Sequence, residues 1–112
     1  MLTVLTLAAI VSNAELLRAC GARTEATAYA PGAAQTETAT RCTAYIEGVL
    51  GAGHVDAAMG QPLYCAKGIT AEKARRLFVE LAPLAPEQID KEAAATLIVI
   101  LAGKYPCPAR PR

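Results

Sequence analysis

The residues of this chain suited to covalent or metal chemistry are four cysteines, at 20, 42, 65 and 107, and one histidine, His54. No two cysteines form a C-x-x-C pair. Structural zinc sites are built from closely spaced ligand pairs, so neither a metal nor a cofactor is expected. Four cysteines spread through a small alanine-rich chain read better as two disulfides than as four buried thiols. That reading places the protein in an oxidising compartment.

Other chemistry lacks its parts. A nucleophilic mechanism needs an activated Ser, Cys or Thr beside a base, and the one serine, Ser12, stands where a helix cap belongs. His54 could pair with Asp56, but the pair would still lack a nucleophile. The acids Glu72, Glu80, Glu87, Asp90 and Glu92 fall in helix faces and caps rather than as an acid–base pair. Gly51-Ala-Gly53 lacks the further glycine and the lysine of a phosphate loop. The chain is therefore expected to act by binding, not by catalysis.

The 112 residues suffice for one domain. The apolar share is 54 %, much of it alanine, with one Phe, four Tyr and no Trp. Such a core is made of Leu, Ile, Val and Ala on closely packed helices, with little stabilisation from large rings. Net charge is +1, which is no nucleic-acid footprint. The cluster Lys73, Arg75, Arg76, interleaved with Glu72 and Glu80, reads as a solvated helix face.

These residues must be positioned by helices. Met1–Val11 is an apolar run too short to span a bilayer. It has the length of a signal-peptide core without a basic n-region, and Ser12-Asn13-Ala14 offers small residues for cleavage after Ala14. The alternative, an N-terminal segment packed on the domain, stays open. Ser12 with Glu15 fits a capping box, and Val11 with Leu16 a hydrophobic staple. Together they start a helix at Asn13 that stops at Gly21. Residues 21–39 lack helical periodicity and contain Pro31-Gly32, so a loop is expected there.

A second helix from Thr40 sets Cys42, Tyr45, Ile46, Val49 and Leu50 on one stripe, weakens at Gly51-Ala-Gly53, and ends at Gly60-Gln-Pro62. Thr70 caps a third helix with Ala74, Leu77, Phe78 and Leu81 on one face, closed by Pro83 and Pro86. A fourth runs from Pro86 or Asp90 to about Lys104. Its Leu97–Leu101 stretch is apolar all round, so it is either a central helix or a surface for a second copy. The expected fold is all-α: a small four-helix, disulfide-stapled domain over 15–108, after an apolar segment 1–14 and before a tail 109–112. No stable membrane span is expected.

Helix geometry separates the possible cysteine pairings. Cys42 opens the second helix and Cys65 follows its end, so joining them would fold the connector back along the whole helix. Cys20 and Cys42 bracket the 21–39 stretch. Cys65 and Cys107 bracket an antiparallel pair of helices and so lie at the same end. The expected pairs are Cys20–Cys42 and Cys65–Cys107.

Read in order, Leu16-Leu-Arg-Ala-Cys20, Cys42-Thr-Ala-Tyr-Ile-Glu-Gly48, Tyr64-Cys65 leading into Gly68-Ile-Thr-Ala71, and Tyr105-Pro-Cys-Pro108 resemble the Rap/Tai immunity proteins of type VI secretion. The resemblance covers about 15–108. It implies a helical, two-disulfide, often dimeric protein of the Gram-negative periplasm that occludes the cleft of an injected peptidoglycan amidase. The shared motifs carry the scaffold, not target choice, so no target-binding residue is transferred from them. The chain's own candidates are His54, Asp56, Gln61 and Tyr64 in the loop Gly51–Tyr64, with Lys73, Arg76 and Glu80 on the exposed face of the third helix. Tyr64 is either an interface anchor or packing for the disulfide. The alternative function is an acid-stress chaperone of the HdeA type, or another small helical binding protein.

Overall fold

A computed structural model describes residues 11–26 and 33–108. The apolar run 1–10, the stretch 27–32 and the tail 109–112 lie outside the described residues. Four α-helices make the fold: α1 (Asn13–Ala26), α2 (Ala33–Ala58), α3 (Ala71–Leu81) and α4 (Ala93–Lys104). One-turn 3₁₀ segments, Ala82–Leu84 and Pro86–Gln88, connect α3 to α4. Among the described residues the one strand-like pairing is a single antiparallel bridge between Ser12 and Glu92.

The start of α1 follows local chemistry. Glu15 N–H donates to Ser12 Oγ at 3.2 Å, and Ser12 N–H donates back to Glu15 Oε1 at 3.3 Å, so both members of the box satisfy helix-end donors. The same few residues are sewn to the turn before α4: Ala93 N–H donates to Val11 O, Asn13 N–H to Lys91 O, and Ala14 N–H to Ile89 O. Asn13, 2 % exposed, adds side-chain bonds from Nδ2 to Gln88 O at 2.7 Å and to Thr96 Oγ1 at 2.8 Å. Residues 11–14 are thus built into the fold.

The helices on either side of 27–32 extend further than periodicity indicated. α1 does not stop at Gly21 but continues to Ala26, and α2 starts at Ala33 rather than Thr40. Both extensions are rich in alanine, which favours helix without leaving an apolar stripe to read. The 26 residues of α2 span about 39 Å. Cys20–Cys42, with a Cα–Cα distance of 5.1 Å, therefore staples α1 to α2 from within both helices.

The core is aliphatic around one ring. Leu16, Ile46, Leu97, Leu101 and Phe78 are buried, with Cys20 and Cys42 among them. The stripes Cys42–Ile46–Val49–Leu50 and Ala74–Leu77–Phe78 point inward, with Tyr45 and Leu81 half-buried beside them. α4 is not a central helix surrounded by its own neighbours. It starts later, at Ala93, because 3₁₀ turns fill the chain after Pro86. It buries one face through Ala93, Leu97 and Leu101 and leaves Val99 70 % exposed. A groove of about 510 Å³ between α4 and the α3–α4 connection is lined by Leu81, Ala85, Ala95, Val99 and Ile100 among others.

The basic cluster of α3 also differs from a purely solvated face. Arg75 grips Glu72 through two bonds, Nε to Oε1 at 2.9 Å and Nη2 to Oε2 at 2.8 Å, and reaches Cys20 O at 3.4 Å. Its side chain is only 11 % exposed. The Glu72 bond holds the guanidinium charged, more than offsetting burial. Arg75 thereby ties α3 to α1 beside the inner disulfide. No helix among the described residues is long and apolar enough to cross a membrane.

Candidate partner-binding surface

α2 runs out past its neighbours. Of residues 51–58, all are exposed except the half-buried Gly53 and Asp56. The helix ends where Gly60 takes φ of 81°, the left-handed conformation that glycine adopts without a Cβ clash. Gln61 N–H donates to Asp56 O and Gly60 N–H to Ala57 O, the paired bonds of a Schellman ending. The connector then runs without helix to Thr70, whose Oγ1 accepts from Lys73 N–H and starts α3.

Two devices hold this connector. Cys65 is joined to Cys107, and Cys65 N–H donates to Tyr105 O at 2.8 Å. This closure joins the residues before α3 to those after α4. The hydroxyl end of the Tyr64 ring packs against Gly53 of α2, where a Cβ would come within 2.9 Å of its Cζ. Burial pushes the Tyr64 phenol up from its ordinary value.

The structure places the sequence candidates as follows. His54 and Asp56 are in the last turns of α2, not in the expected loop, with His54 exposed. Among the described residues no ion pair joins them, because positions i and i+2 of a helix do not face each other. Gln61 is exposed in the connector and Tyr64 is half-buried. Lys73, Arg76 and Glu80 are exposed along α3. Lys73 Nζ stands 5.8 Å from the Tyr105 ring centroid, near the outer disulfide. Arg76 Nε binds Glu72 Oε2 at 3.0 Å in an exposed pair of small energetic value.

Three apolar residues complete the surface and were not singled out from sequence. Val55, Met59 and Leu63 are 58 %, 75 % and 45 % exposed. Val55 and Met59 are one turn apart and out of phase with the buried stripe of α2. An apolar i, i+4 pair off the core face was the signal that could have found them. Large apolar side chains held at a protruding end, rimmed by polar and charged ones, have the composition of a protein-contact surface.

Residues 12–107 match the model of the Rap1a immunity proteins. The chain belongs to the Rap1a immunity protein family. The match runs from Ser12, the cap of α1, to Cys107, the last half of the outer disulfide, so the family's extent is the stapled bundle described above. No curated protein and no solved structure matches the chain. Membership in an immunity family implies a partner protein.

Proposed function

We propose that this protein is a periplasmic immunity protein that binds a type VI secreted peptidoglycan amidase and occludes its active-site cleft. The observation that carries the reading is the exposed apolar group Val55, Met59 and Leu63 on a pinned, protruding end of an immunity-family fold. A convex end fits a concave enzyme cleft, and apolar side chains there gain from leaving water on binding. His54 and Gln61 neighbour these apolar residues in the chain, and Lys73, Arg76 and Glu80 are exposed on α3; such polar residues serve specificity and association rate more than affinity.

In this reading the chain itself performs no catalysis. Ser12 is occupied in the α1 cap. The exposed Val99 groove of α4 is the apolar surface available for pairing with a second copy.

The test is inhibition. Oxidised protein is titrated into a peptidoglycan amidase encoded beside it, and release of cleaved muropeptides is followed. Stoichiometric loss of cleavage supports the reading, and co-expression in the periplasm should rescue growth. Tight binding to an effector of other chemistry would keep the immunity role and remove the amidase. No inhibition and no binding would end the proposal.

A further inference from the structure

The two disulfides sit in opposite environments. Cys20 and Cys42 are both at 0 % exposure inside the core, whereas Cys65 is exposed and Cys107 half-buried. Exchange requires a thiolate to reach a sulfur, so a dissolved thiol meets the outer bond first. Exposed cations flank the outer bond along the chain. Lys67 lies two residues from Cys65, Lys104 lies three from Cys107, and Lys73 sits over Tyr105, all three exposed. Cations beside a departing sulfur stabilise its thiolate and make it a better leaving group.

What the outer bond holds is local. Besides it, the helix-free segment 61–69 is kept in place by backbone bonds from Gln61 to Asp56 and from Cys65 to Tyr105, by Tyr64 against Gly53, and by Tyr64 and Ile69 packed on the core. The inner bond, the Arg75 link to Cys20 O and the aliphatic core hold the helices together independently. We propose that Cys65–Cys107 is a thiol-accessible latch. Its reduction releases the connector that carries Gln61, Leu63 and Tyr64, while Cys20–Cys42 keeps the bundle folded.

The chemistry balances with a low-molecular-weight thiol as reductant. Its thiolate attacks Cys65 Sγ, the Cys65–Cys107 bond breaks, and Cys107 departs as a thiolate that takes up a proton. A second thiol attacks the mixed disulfide at the reagent's sulfur and releases Cys65. Two reagent thiols become one disulfide, and the protein gains two electrons and two protons.

The consequence for partner binding rests on the surface assigned under Proposed function, but the latch is tested without a partner. The oxidised full chain is exposed to rising reduced glutathione and then dithiothreitol, alkylated, and mapped by peptide mass. The first labelled pair should be Cys65 and Cys107, with far-ultraviolet helicity retained. Trypsin cleavage after Lys67 should then rise by about tenfold or more, as local opening becomes easier. A Cys65→Ser/Cys107→Ser variant should keep its helicity and be cut after Lys67 as fast without any thiol. Labelling of Cys20 and Cys42 first or at the same time, loss of helicity with the outer bond, or unchanged cleavage after Lys67 would each overturn the latch. Failure of amidase inhibition by the oxidised protein, with the latch intact, would instead remove the functional reading alone.

Discussion

Gly53 and Tyr64 are in contact because residue 53 has no side chain. A Cβ there would lie 2.9 Å from Tyr64 Cζ and 3.0 Å from Cε1, inside any real carbon contact. Gly51, one turn-fraction earlier on the same helix, faces open space. Both glycines weaken α2 by up to about 1 kcal/mol relative to alanine, but only one has a packing reason to be glycine. Gly51→Ala is therefore expected to raise the melting temperature. Gly53→Ala is expected to lose that gain to a displaced Tyr64, because overpacking costs about 1–3 kcal/mol. Paired thermal melts decide the matter, and equal stabilisation by both would show that Tyr64 does not rest on Gly53.

Asn13 should be worth more to stability than its place at a helix start indicates. Asn13→Ala removes both Nδ2 bonds, leaving Gln88 O with the Lys91 N–H and Thr96 Oγ1 with its bond to Glu92 O. Each such bond contributes about 0.5–1.5 kcal/mol net. Asn13→Asp should be worse at neutral pH, since it replaces the donor with a buried charge facing two acceptors. Asn13 Oδ1 has no partner among the described residues, so the side chain's contribution comes from its NH₂ group. A urea-unfolding change below about 0.5 kcal/mol for Asn13→Ala, the range of ordinary surface substitutions, would count against the crosslink.

The two disulfides should rank opposite to their loop lengths. Sequence separations of 22 and 42 residues give about 3.4 and about 4 kcal/mol in the chain-entropy model. Cys20 and Cys42 are wholly buried, so alanine at both also empties core volume at about 1 kcal/mol each. The Cys65–Cys107 pair is at the surface and leaves little void. The double Cys20→Ala/Cys42→Ala variant should therefore unfold at lower denaturant than Cys65→Ala/Cys107→Ala. The reverse order would mean that loop closure, not burial, dominates.

Alkaline pH should weaken the fold through two phenols. Burial raises Tyr45, with the nearby Glu92 charge raising it further and a bond with the Ala94 backbone pulling it down, and burial raises Tyr64. A group that holds its proton more tightly when folded contributes stability below its unfolded value, about pH 10 for tyrosine. That contribution is lost as pH climbs toward the folded value. Stability should be flat up to about pH 10 and fall above it, and Tyr45→Phe should reduce the slope. Short-exposure chemical unfolding at pH 8 and above 10 reads this out, and a slope unchanged by Tyr45→Phe would assign the loss elsewhere.

How much of this was legible in the sequence depends on the range of the interaction. The Ser12–Glu15 box, the Thr70 cap and the stripe from Cys42 to Leu50 are local, and their residues announce them. The ends of α1 and α2 were not legible, because alanine propensity leaves no periodic mark and Pro31-Gly32 made the surrounding residues read as loop. Asn13 was unreadable for another reason: its partners, Gln88 and Thr96, are far along the chain, and nothing about an asparagine names a distant acceptor. For α4, apolar residues on every face indicated burial on every face. In so small a bundle there are too few neighbours to cover it, so Val99 remains outside.

The same limit governs the binding surface, where the most direct test lies. Met59 and Leu63 stand in water, so Met59→Ala and Leu63→Ala remove little that the fold uses and should leave the melting temperature nearly unchanged. If these side chains enter an amidase cleft, each truncation should weaken binding by at least about 1 kcal/mol, and together by more. Leu84 and Val99, 75 % and 70 % exposed and set away from the α2 end, are matched controls of equal hydrophobicity. Leu84→Ala and Val99→Ala should leave a one-to-one affinity unchanged in calorimetry. If the controls weaken binding while Met59→Ala and Leu63→Ala do not, the partner sits on the α4 groove, and the protruding end of α2 is not the inhibitory surface.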